Sequence, residues 1–523
     1  MKIEQLKEKL ENLKYSTGIK NRNELYAYVP KSAAVDVATM LYTAHKLNFA
    51  AEFCQQKTGE DGFFISILFI SRKHNYYVVI RYETEDTLMS IQDLVFQAHL
   101  FEREISDLYG LGIAGGKDAR NLVKHEAWES GVYPLKKDFP YGTKIKERNE
   151  TGKYEFKGLS GEGGYQIAVG PVHAGIIEPG HFRFSAIGES IENLEIRLMY
   201  KHRGIEKMME NVDADKLSLV FERVSGESAA AYSEGYAHLV ESLNGWQVSE
   251  DIKALRVAFL ELERACNFLE DIAGICVDIG FSYPAKKFSY FSELIRQLCE
   301  RVTGSRFLRN SIIPCGNNVE FGGDKAVDIV DTIDGIVHRF NRIVEMTLVS
   351  VSFLDRVENT GIIRNDNAVK LCMTGVSGRA SGIVYDVRNS FSYELYPKLK
   401  KPVQTETLGG VFERYKLKIE EIRSAFDYIK SSLDFIGGRT VPKERNSISL
   451  QAGQEAIVSV ETVKGDLIIY GLTGMDNRFD RIYMKTPSFA NWRGLTYAVM
   501  GEIVPDFPLC NKSMNMSYSE NDR

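Results

Sequence analysis

The hydrophobic pattern of this 523-residue chain changes after about residue 140. Before this point, residues 63–70 and 75–82 are rich in β-branched and aromatic side chains, which is typical of buried strands. After it, apolar residues recur mostly at helical spacing. Residues 144–164, between the two parts, are charged and rich in glycine, as linkers often are. The sequence therefore predicts two segments that fold around separate cores on either side of a linker.

The predicted boundaries are 1–143 for an α+β domain, 144–164 for the linker, and 165–523 for a mainly α domain with small β regions. In the first domain, helices are predicted within residues 1–20 and 87–104. In the second, helices are predicted at residues 188–210, 215–243, 253–274, 290–303, 327–356 and 408–435. Short strands of the second domain are predicted at residues 166–169, 181–186, 454–461 and 467–470.

Charge and composition exclude several classes of protein. The formal net charge is −6, which argues against a general nucleic-acid binder. No apolar run approaches the ~20 residues of a spanning helix, and the first 20 residues lack the apolar core of a signal peptide. The seven cysteines are odd in number and form no CxxC pair, which argues against a disulfide framework and an internal iron–sulfur or zinc site.

A GxGxxG match at Gly110-Leu111-Gly112-Ile113-Ala114-Gly115 is a candidate nucleotide site. A dinucleotide fold needs a strand before this motif and a helix after it. The preceding residues 102–107 have the pattern of a helix end, and no apolar helix start follows. We therefore expect no nucleotide site here.

Short motifs occur along both segments in a fixed order. Those of the first segment are Glu102-Arg103-Glu104, Asp107-Leu108-Tyr109-Gly110 and residues 133–140. Those of the second are residues 170–173, 178–183, 202–207, 261–264 and 378–382, followed by Asp386 and Arg388. On these residues the first segment resembles the 30-kDa subunit of respiratory complex I. The second resembles the 49-kDa subunit and the large subunit of membrane-bound group 4 [NiFe] hydrogenases. The fused arrangement is similar to that of the formate hydrogenlyase large subunit and its relatives.

The resemblance implies that metal-ligand positions have changed. Hydrogenases of this family hold nickel and iron with two CxxC pairs, and these four positions correspond to Ser225, Ser228, Ser517 and Glu520. A soft Ni–Fe centre needs polarisable thiolates, so we expect no Ni–Fe centre and no other metal. A hydrogen-bonded polar pocket is the preferred interpretation, and a weak hard-cation site at Glu520 is the alternative. Related hydrogenases lose a C-terminal tail after nickel insertion, and an end at Arg523 fits a protein without that step.

The resemblance to quinone-reducing relatives implies an acceptor site. Their active-site histidine corresponds best to His181 and its aspartate neighbour to Asp278, whereas their tyrosine falls near Gly226, so the phenol is missing. A His–Asp pair suits proton delivery to a reduced quinone-like oxygen. A structural pair that ties a loop to a helix is the alternative, and both interpretations stay open.

Further charged residues are expected around these positions: Arg183, Glu206, Arg379 and Asp386. For Glu206, ion pairs that pack the core are preferred to a proton relay. Arg379 and Asp386 are expected in a structural polar cluster. A buried Glu520 would need hydrogen bonds, and the hydroxyls of Ser225, Ser228 and Ser517 are the expected donors, with Arg379 or Arg183 as further candidates.

The function implied by the resemblance is that of an oxidoreductase subunit, in the NADH:quinone oxidoreductase and hydrogenase family. The chain would lie peripherally on the cytoplasmic face of a membrane and form an electron-acceptor cavity. A partner iron–sulfur small subunit would hold a [4Fe–4S] cluster beside this cavity, and membrane subunits would translocate ions. No cofactor is expected in this chain itself, and a quinone is a candidate acceptor. A redox-silent scaffold or coupling subunit is one alternative. A [NiFe] hydrogenase large subunit is another, which the four substituted positions disfavour.

Overall fold

The first segment combines a five-stranded sheet and a small two-stranded sheet with short helices. In this computed structural model, which describes residues 1–147, 153–159, 163–174 and 177–523, its helices are α1 (Ile3–Asn12), α2 (Ala34–Thr39) and α3 (Ala98–Tyr109). Its strands are β1 (Ser16–Lys20), β2 (Glu24–Tyr28), β3 (Asn48–Gln56), β4 (Phe63–Ser71), β5 (Tyr76–Thr84), β6 (Thr87–Met89) and β7 (Gly112–Ala114). The main sheet has the strand order β1-β2-β5-β4-β3, with β2 and β5 parallel and the other pairs antiparallel.

The second segment combines long helices with two three-stranded sheets. Its strands are β8 (Gly164–Val169), β9 (His181–Ile187), β10 (Ser190–Arg197), β11 (Ile312–Ile313), β12 (Gly316–Asn317), β13 (Glu455–Glu461), β14 (Asp466–Thr473) and β15 (Phe479–Lys485). Its helices are α4 (Ile205–Met209), α5 (Ala214–Phe221), α6 (Ala229–Asn244), α7 (Glu250–Asp278), α8 (Ser282–Thr303), α9 (Gly323–Leu348), α10 (Val351–Val357), α11 (Asn365–Lys370), α12 (Gly375–Ala380), α13 (Val387–Ser390), α14 (Val411–Ile436), α15 (Pro487–Ala498), α16 (Phe507–Met514) and α17 (Tyr518–Asp522).

Helix α7 is the centre of the helical part. It packs against α14, α8 and α16, and α9 packs on the outer side of α8. The Ser249 hydroxyl accepts a hydrogen bond from the Ile252 N–H and so caps the amino end of α7. Among the described residues, no helix is long and apolar enough to cross a bilayer.

The sheet of the first segment packs on the β13-β14-β15 sheet of the second. The ring of Phe53 lies 4.7 Å from the rings of both Tyr470 and Tyr483, and the hydroxyls of Tyr77 and Ser459 are 2.6 Å apart. The expectation of separate cores is therefore wrong, because the buried apolar cluster around the first sheet includes side chains of β13, β14 and β15. Strands β3, β4 and β5 are accordingly buried along almost their whole length, on both faces of the sheet.

The predicted domain boundaries stay a prediction. Of the expected linker, residues 148–152 and 160–162 lie outside the described residues. Residues 153–159 lie against the second segment, where the guanidinium of Arg197 stacks 3.8 Å from the ring of Tyr154. The Lys157 N–H also donates to the carboxylate of Glu195 at 3.0 Å.

Most predicted elements are confirmed, including β4, β5, β8, β9, β13, β14, α7, α8 and α14. The helix predicted at residues 188–210 is wrong, since this region holds β10 followed by the short α4. A β-bulge between Ile191 and Asn193 shifts the strand register, so Ile191 and Leu194 are both buried at a spacing of three. The predictions for residues 1–20 and 87–104 are right only in part, because each range contains a strand as well as helical residues.

The predicted absence of a dinucleotide fold at Gly110 agrees with the local structure. Gly110 follows the last residue of α3 with φ of 81°, so a helix and not a strand precedes the motif. A side chain at Gly110 would also lie 2.8 Å from the ring of Tyr133. The glycine is thus required by a helix end and a close approach.

The ion pair between Arg81 and Glu455 provides a test of the contact between the two segments. Arg81 Nη2 lies 2.9 Å from Glu455 Oε2, and both side chains are buried. We expect Glu455→Ala to lower the free energy of unfolding by about 3–5 kcal/mol, because it leaves a buried guanidinium unpaired. Lys20, half exposed, pairs with the same carboxylate at 2.6 Å. As the control, Lys20→Ala should cost only about 0–1 kcal/mol. Equal losses in denaturant titrations of the two variants would contradict the prediction.

Candidate functional site

Arg203 joins two of the predicted ligand segments. Its guanidinium donates hydrogen bonds to the carbonyls of Arg223 at 2.6 Å and Val224 at 2.8 Å, immediately before Ser225. It also donates to the carbonyl of Ser519 at 2.9 Å, on α17. One side chain thus brings the start of the Ser225 segment to the C-terminal helix.

The loop before β9 reaches the same helix. The carboxylate of Glu178 accepts a hydrogen bond from the Ser519 N–H at 2.9 Å. Gly180 lies so close to Tyr518 that an added Cβ would be 2.5 Å from the ring. His181 follows directly, so its loop lies against α17. Three segments far apart in sequence therefore meet at α17.

Glu520 is fully buried at this meeting point. Its carboxylate accepts hydrogen bonds from the Tyr232 hydroxyl at 2.9 Å, from the Ser488 N–H at 3.1 Å, and from the Ser488 hydroxyl. Burial raises the pKa of Glu520, and these bonds oppose the increase. The side chain is buried as expected, but the expected donors are wrong. Tyr232 could have been found four residues after Ser228 on the same helical face, whereas no sequence signal indicates Ser488.

Ser225 and Ser228 are also fully buried, and their hydroxyls have no hydrogen-bond partner among the described residues. Ser228 holds the N-cap position of α6 without capping it. The carboxylate of Glu263 takes that role instead, since it accepts from the Ala230 N–H at 2.7 Å and the Ala231 N–H at 3.0 Å. Burial raises the pKa of Glu263 to about 8, although the backbone bonds oppose the shift.

Ser517 has a local structural role. Its hydroxyl accepts a hydrogen bond from the Glu520 N–H at 3.3 Å and caps α17. We call Ser225, Ser228, Ser517 and Glu520 the serine–carboxylate site.

A buried cation lies beside the serine–carboxylate site. Lys464 Nζ is 2.9 Å from the Glu227 carboxylate and 3.7 Å from that of Asp271. Burial opposes the charge of Lys464, but the two carboxylates raise its pKa above the usual range. The positive charge of Lys464 in turn lowers the pKa of Glu520, against the larger effect of burial.

His181 has partners at both ring nitrogens. Nδ1 lies 3.1 Å from the Gly170 carbonyl, which can only accept, so Nδ1 carries the proton. Nε2 then accepts from Nε of Arg183 at 3.3 Å. Burial lowers the pKa of His181. Asp278 is exposed at the end of α7, and within the described parts of the chain no hydrogen bond or ion pair joins it to His181. The structure thus does not bring the predicted pair together.

Arg379 and Asp386 form the expected structural cluster away from Glu520. Arg379 Nη1 lies 2.7 Å from Asp386, and Nη2 lies 2.8 Å from Glu421. Arg388 pairs with both carboxylates, at 2.6 and 2.9 Å. All four side chains are buried. The expectation that Arg379 or Arg183 reaches Glu520 is therefore wrong.

Glu206 forms ion pairs in the core, which was the interpretation preferred to a proton relay. Its carboxylate lies 2.7 Å from Arg481 of β15 and 2.9 Å from Arg523. Arg523 also pairs with Glu104 of α3. These contacts pack the core and hold the end of α17 against the first segment.

No group of three or more His, Cys, Asp or Glu side chains that could hold a metal ion exists among the described residues. All seven cysteines are free thiols, and five of them are buried.

Matches to known protein families divide the chain into the same two segments as the sequence motifs. Residues 27–144 match the 30 Kd subunit of respiratory-chain NADH dehydrogenase, and residues 278–523 match its 49 Kd subunit. The chain thus joins a domain of each family in one polypeptide, and we call it the fused subunit.

Curated relatives share this fused arrangement over most of their length. The fused subunit is 28% identical over 525 residues to formate hydrogenlyase subunit 5 of Escherichia coli (strain K12), covering 96% of this chain and 92% of the relative. It is 27% identical to the C/D subunit of NADH-quinone oxidoreductase from Phocaeicola vulgatus, covering 73% of this chain and 76% of the relative.

A solved structure supports the fold. A chain of the membrane-bound sulfane sulfur reductase, an archaeal respiratory membrane complex, matches with a TM-score of 0.62 and 23% identity. The match covers 69% of the fused subunit and 98% of that chain.

The burial of Glu520 predicts a pH dependence of stability. A carboxyl group whose pKa is raised by folding stabilises the protein fully at low pH, and this contribution is lost as the pH rises through the folded-state pKa. We expect Glu520→Gln, which cannot ionise, to reduce the loss of stability between acidic and neutral pH. Denaturant titrations at a series of pH values measure this loss.

The matched control is Glu358→Gln, at an exposed glutamate, which should leave the pH profile unchanged. Tyr232→Phe removes one donor to Glu520 and should cost about 1–3 kcal/mol at neutral pH. A pH profile of Glu520→Gln identical to that of the parent protein would show that this carboxyl is not the titrating group.

Proposed function

We propose that the fused subunit is the large subunit of a membrane-associated, multi-subunit oxidoreductase that works without a Ni–Fe centre. The observation that carries the proposal is the meeting of three segments at α17, through Arg203, Glu178 and Tyr232. The relatives are named as subunits of formate hydrogenlyase and NADH-quinone oxidoreductase, and they match over most of the chain.

The residues at the serine–carboxylate site do not fit a Ni–Fe centre. Hydroxyl groups are hard and essentially un-ionised donors at neutral pH, whereas low-valent nickel and iron favour soft thiolates. The carboxylate of Glu520 already accepts bonds from Tyr232 and Ser488. The ammonium of Lys464, which acts on the pKa of Glu520, further disfavours a second cation in this position. The chemistry available here is hydrogen bonding and proton exchange.

We propose that electrons reach the acceptor from a partner subunit. Because the seven free cysteines include no CxxC pair, a [4Fe–4S] cluster would belong to an adjacent iron–sulfur small subunit. The acceptor, for which a quinone is the candidate, would lie on the His181 side of α17. Delivery of a proton from Nε2 would require Arg183 to release that nitrogen and Nε2 first to take up a proton, because Nε2 is the acceptor nitrogen of the ring. This proposal does not use Asp278. Membrane subunits would couple the reaction to ion movement, with the fused subunit bound peripherally.

The enclosure of the site favours a second candidate function, a redox-silent scaffold. Ser225, Ser228 and Glu520 have no exposed surface. A nearby cavity of about 240 Å³ is lined by Gly226 and Glu227 but by neither serine. A scaffold whose former metal pocket is filled by its own side chains could transmit conformational changes between partners without reducing an acceptor.

Metal analysis of the native complex tests the first part of the proposal. We expect iron from the partner's cluster but no stoichiometric nickel, and no hydrogen uptake with a viologen dye, because no thiolate ligands are present. Iron serves as the internal control for metal retention. One nickel per complex would overturn the proposal.

Substitution of His181 separates the two candidate functions. If the acceptor lies at this loop, His181→Ala should lower acceptor reduction by the intact complex about 10²-fold, which is at the low end for loss of a general acid. The control is His338→Ala, at an exposed histidine of α9, which should retain the parent rate. Unchanged turnover with His181→Ala, in a complex that assembles normally, would favour the scaffold.

A further inference from the structure

An open cavity of about 450 Å³ lies at the carboxyl end of α6, next to the β1–β2 turn. Its lining includes His238, Glu241, Tyr393 and Glu394, with Lys253 at its edge. It is separate from the serine–carboxylate site, since neither the serines nor Glu520 line it.

A guanidinium behind this cavity faces more carboxyl groups than it can neutralise. Arg256 is 1% exposed. Its Nη2 lies 2.7 Å from Glu241, and its Nη1 lies 2.9 Å from Glu394 and 3.7 Å from Glu234. The carboxylate of Glu241 also accepts a hydrogen bond from the Cys315 N–H at 2.8 Å. One guanidinium therefore serves three carboxyl groups and can neutralise only one negative charge among them.

Glu234 and Glu394 form a pair that needs a proton. Glu234 is fully buried, and neither of its oxygens receives a hydrogen bond from the described residues. Oε2 of Glu394 is likewise without a donor. The two carboxyl groups nevertheless lie near each other, at 3.7 and 2.9 Å from the same nitrogen of Arg256, Nη1. Burial and the nearby Glu394 both raise the pKa of Glu234. Like charges this close raise the free energy of the fully ionised pair, so a state with one carboxyl group protonated is favoured.

The backbone at Glu394 is strained. Its φ is 50°, in the left-handed region, which costs a non-glycine residue roughly 1–2 kcal/mol. Such strain concentrates at functional sites, where surrounding contacts hold it. Here the ion pair with Arg256 holds the Glu394 side chain against Glu234.

His238 connects the pair to solvent. It lies one helical turn after Glu234 on α6, lines the cavity, and its Nδ1 has no hydrogen-bond partner among the described residues. Burial lowers the pKa of His238, so the neutral imidazole is available to take up and release a proton.

On the interior side, Tyr393 leads towards a further buried carboxyl. Its hydroxyl accepts a hydrogen bond from the Glu461 N–H at 3.3 Å. Burial raises the pKa of Glu461 to about 8. Glu461 is three residues before Lys464, which pairs with Glu227 beside the serine–carboxylate site.

We propose that Glu234 and Glu394 form a proton-loading site, which takes protons from the cavity past His238 and releases them towards the interior. Each transfer moves one proton and no electrons, from cavity water to the carboxylate, and leaves a protonated carboxyl shared by the pair. The statement that acceptor reduction consumes this proton rests on the proposed function. Proton uptake by Glu234 and Glu394 does not. The charged and titratable groups that surround the pair or line the cavity are His238, Glu241, Arg22, Lys253, Arg256, Tyr393 and Glu461.

Infrared spectroscopy of the whole fused subunit tests the loading. The carbonyl stretch of a protonated carboxyl should be present in the parent protein, be lost in Glu234→Gln, and respond to pH jumps and to D₂O. His238→Phe should keep the band but slow its response. The control is Glu52→Gln. Glu52, in β3, is fully buried and its pKa is raised by burial, but it has no described hydrogen-bond partner. The carbonyl band that Glu52→Gln removes should not respond to a pH jump on the timescale of the Glu234 band.

A stability profile is the second measurement. Folding raises the pKa of Glu234, chiefly through burial, so the parent protein should lose stability as the pH rises, and Glu234→Gln should lose less. Persistence of the responsive band in Glu234→Gln, together with an unchanged pH profile, would overturn the proposal.

Turnover of the intact complex distinguishes the two proposals. If the complex reduces no acceptor but the pH-responsive band is retained, the proposed function is wrong and the proton-loading site still stands. Acceptor reduction at the parent rate by Glu234→Gln would overturn the release of protons towards the interior.

Discussion

The buried side chain of Arg523 connects the parts of this molecule on which the candidate site depends. It pairs with Glu104 on α3 of the first segment and with Glu206 on α4 of the second, and Glu206 also pairs with Arg481 on β15. Removing one member of such a buried group leaves the others as uncompensated charges, so the whole arrangement is fixed together. Because Arg523 directly follows α17, these ion pairs also determine where Glu520 lies.

The interior around α17 is organised for protons. The groups that meet there are hydroxyls, carboxyls, the ammonium of Lys464 and the guanidinium of Arg203, which form hydrogen bonds and ion pairs and are poor ligands for a soft metal. Glu520 is held by Tyr232 and Ser488, and Lys464 compensates nearby carboxylates. These side chains thus form a buried, hydrogen-bonded site.

Helix α6 relates this site to the cavity at Arg256. Tyr232 and Glu234 are two residues apart on α6, and they point to different surroundings. Tyr232 bonds to Glu520, whereas Glu234 contacts Glu394 and Arg256. A change of protonation at one side of α6 could therefore act on the other through a single rigid element, which is compatible with both an acceptor-reducing role and a coupling scaffold.

Periodicity is a local property, so the amino-acid sequence alone was enough to predict the two segments and most long helices and strands. The roles of Ser225, Ser228, Ser517 and Glu520 stay a prediction. It misjudged residues 188–210, where a β-bulge places apolar residues at helical spacing. Three features emerged only from the folded chain: the two segments share a core, Ser488 is a donor to Glu520, and no hydrogen bond or ion pair joins His181 to Asp278 among the described residues. These features depend on how residues far apart in the sequence are placed relative to one another, and that placement arises from packing and charge compensation in three dimensions.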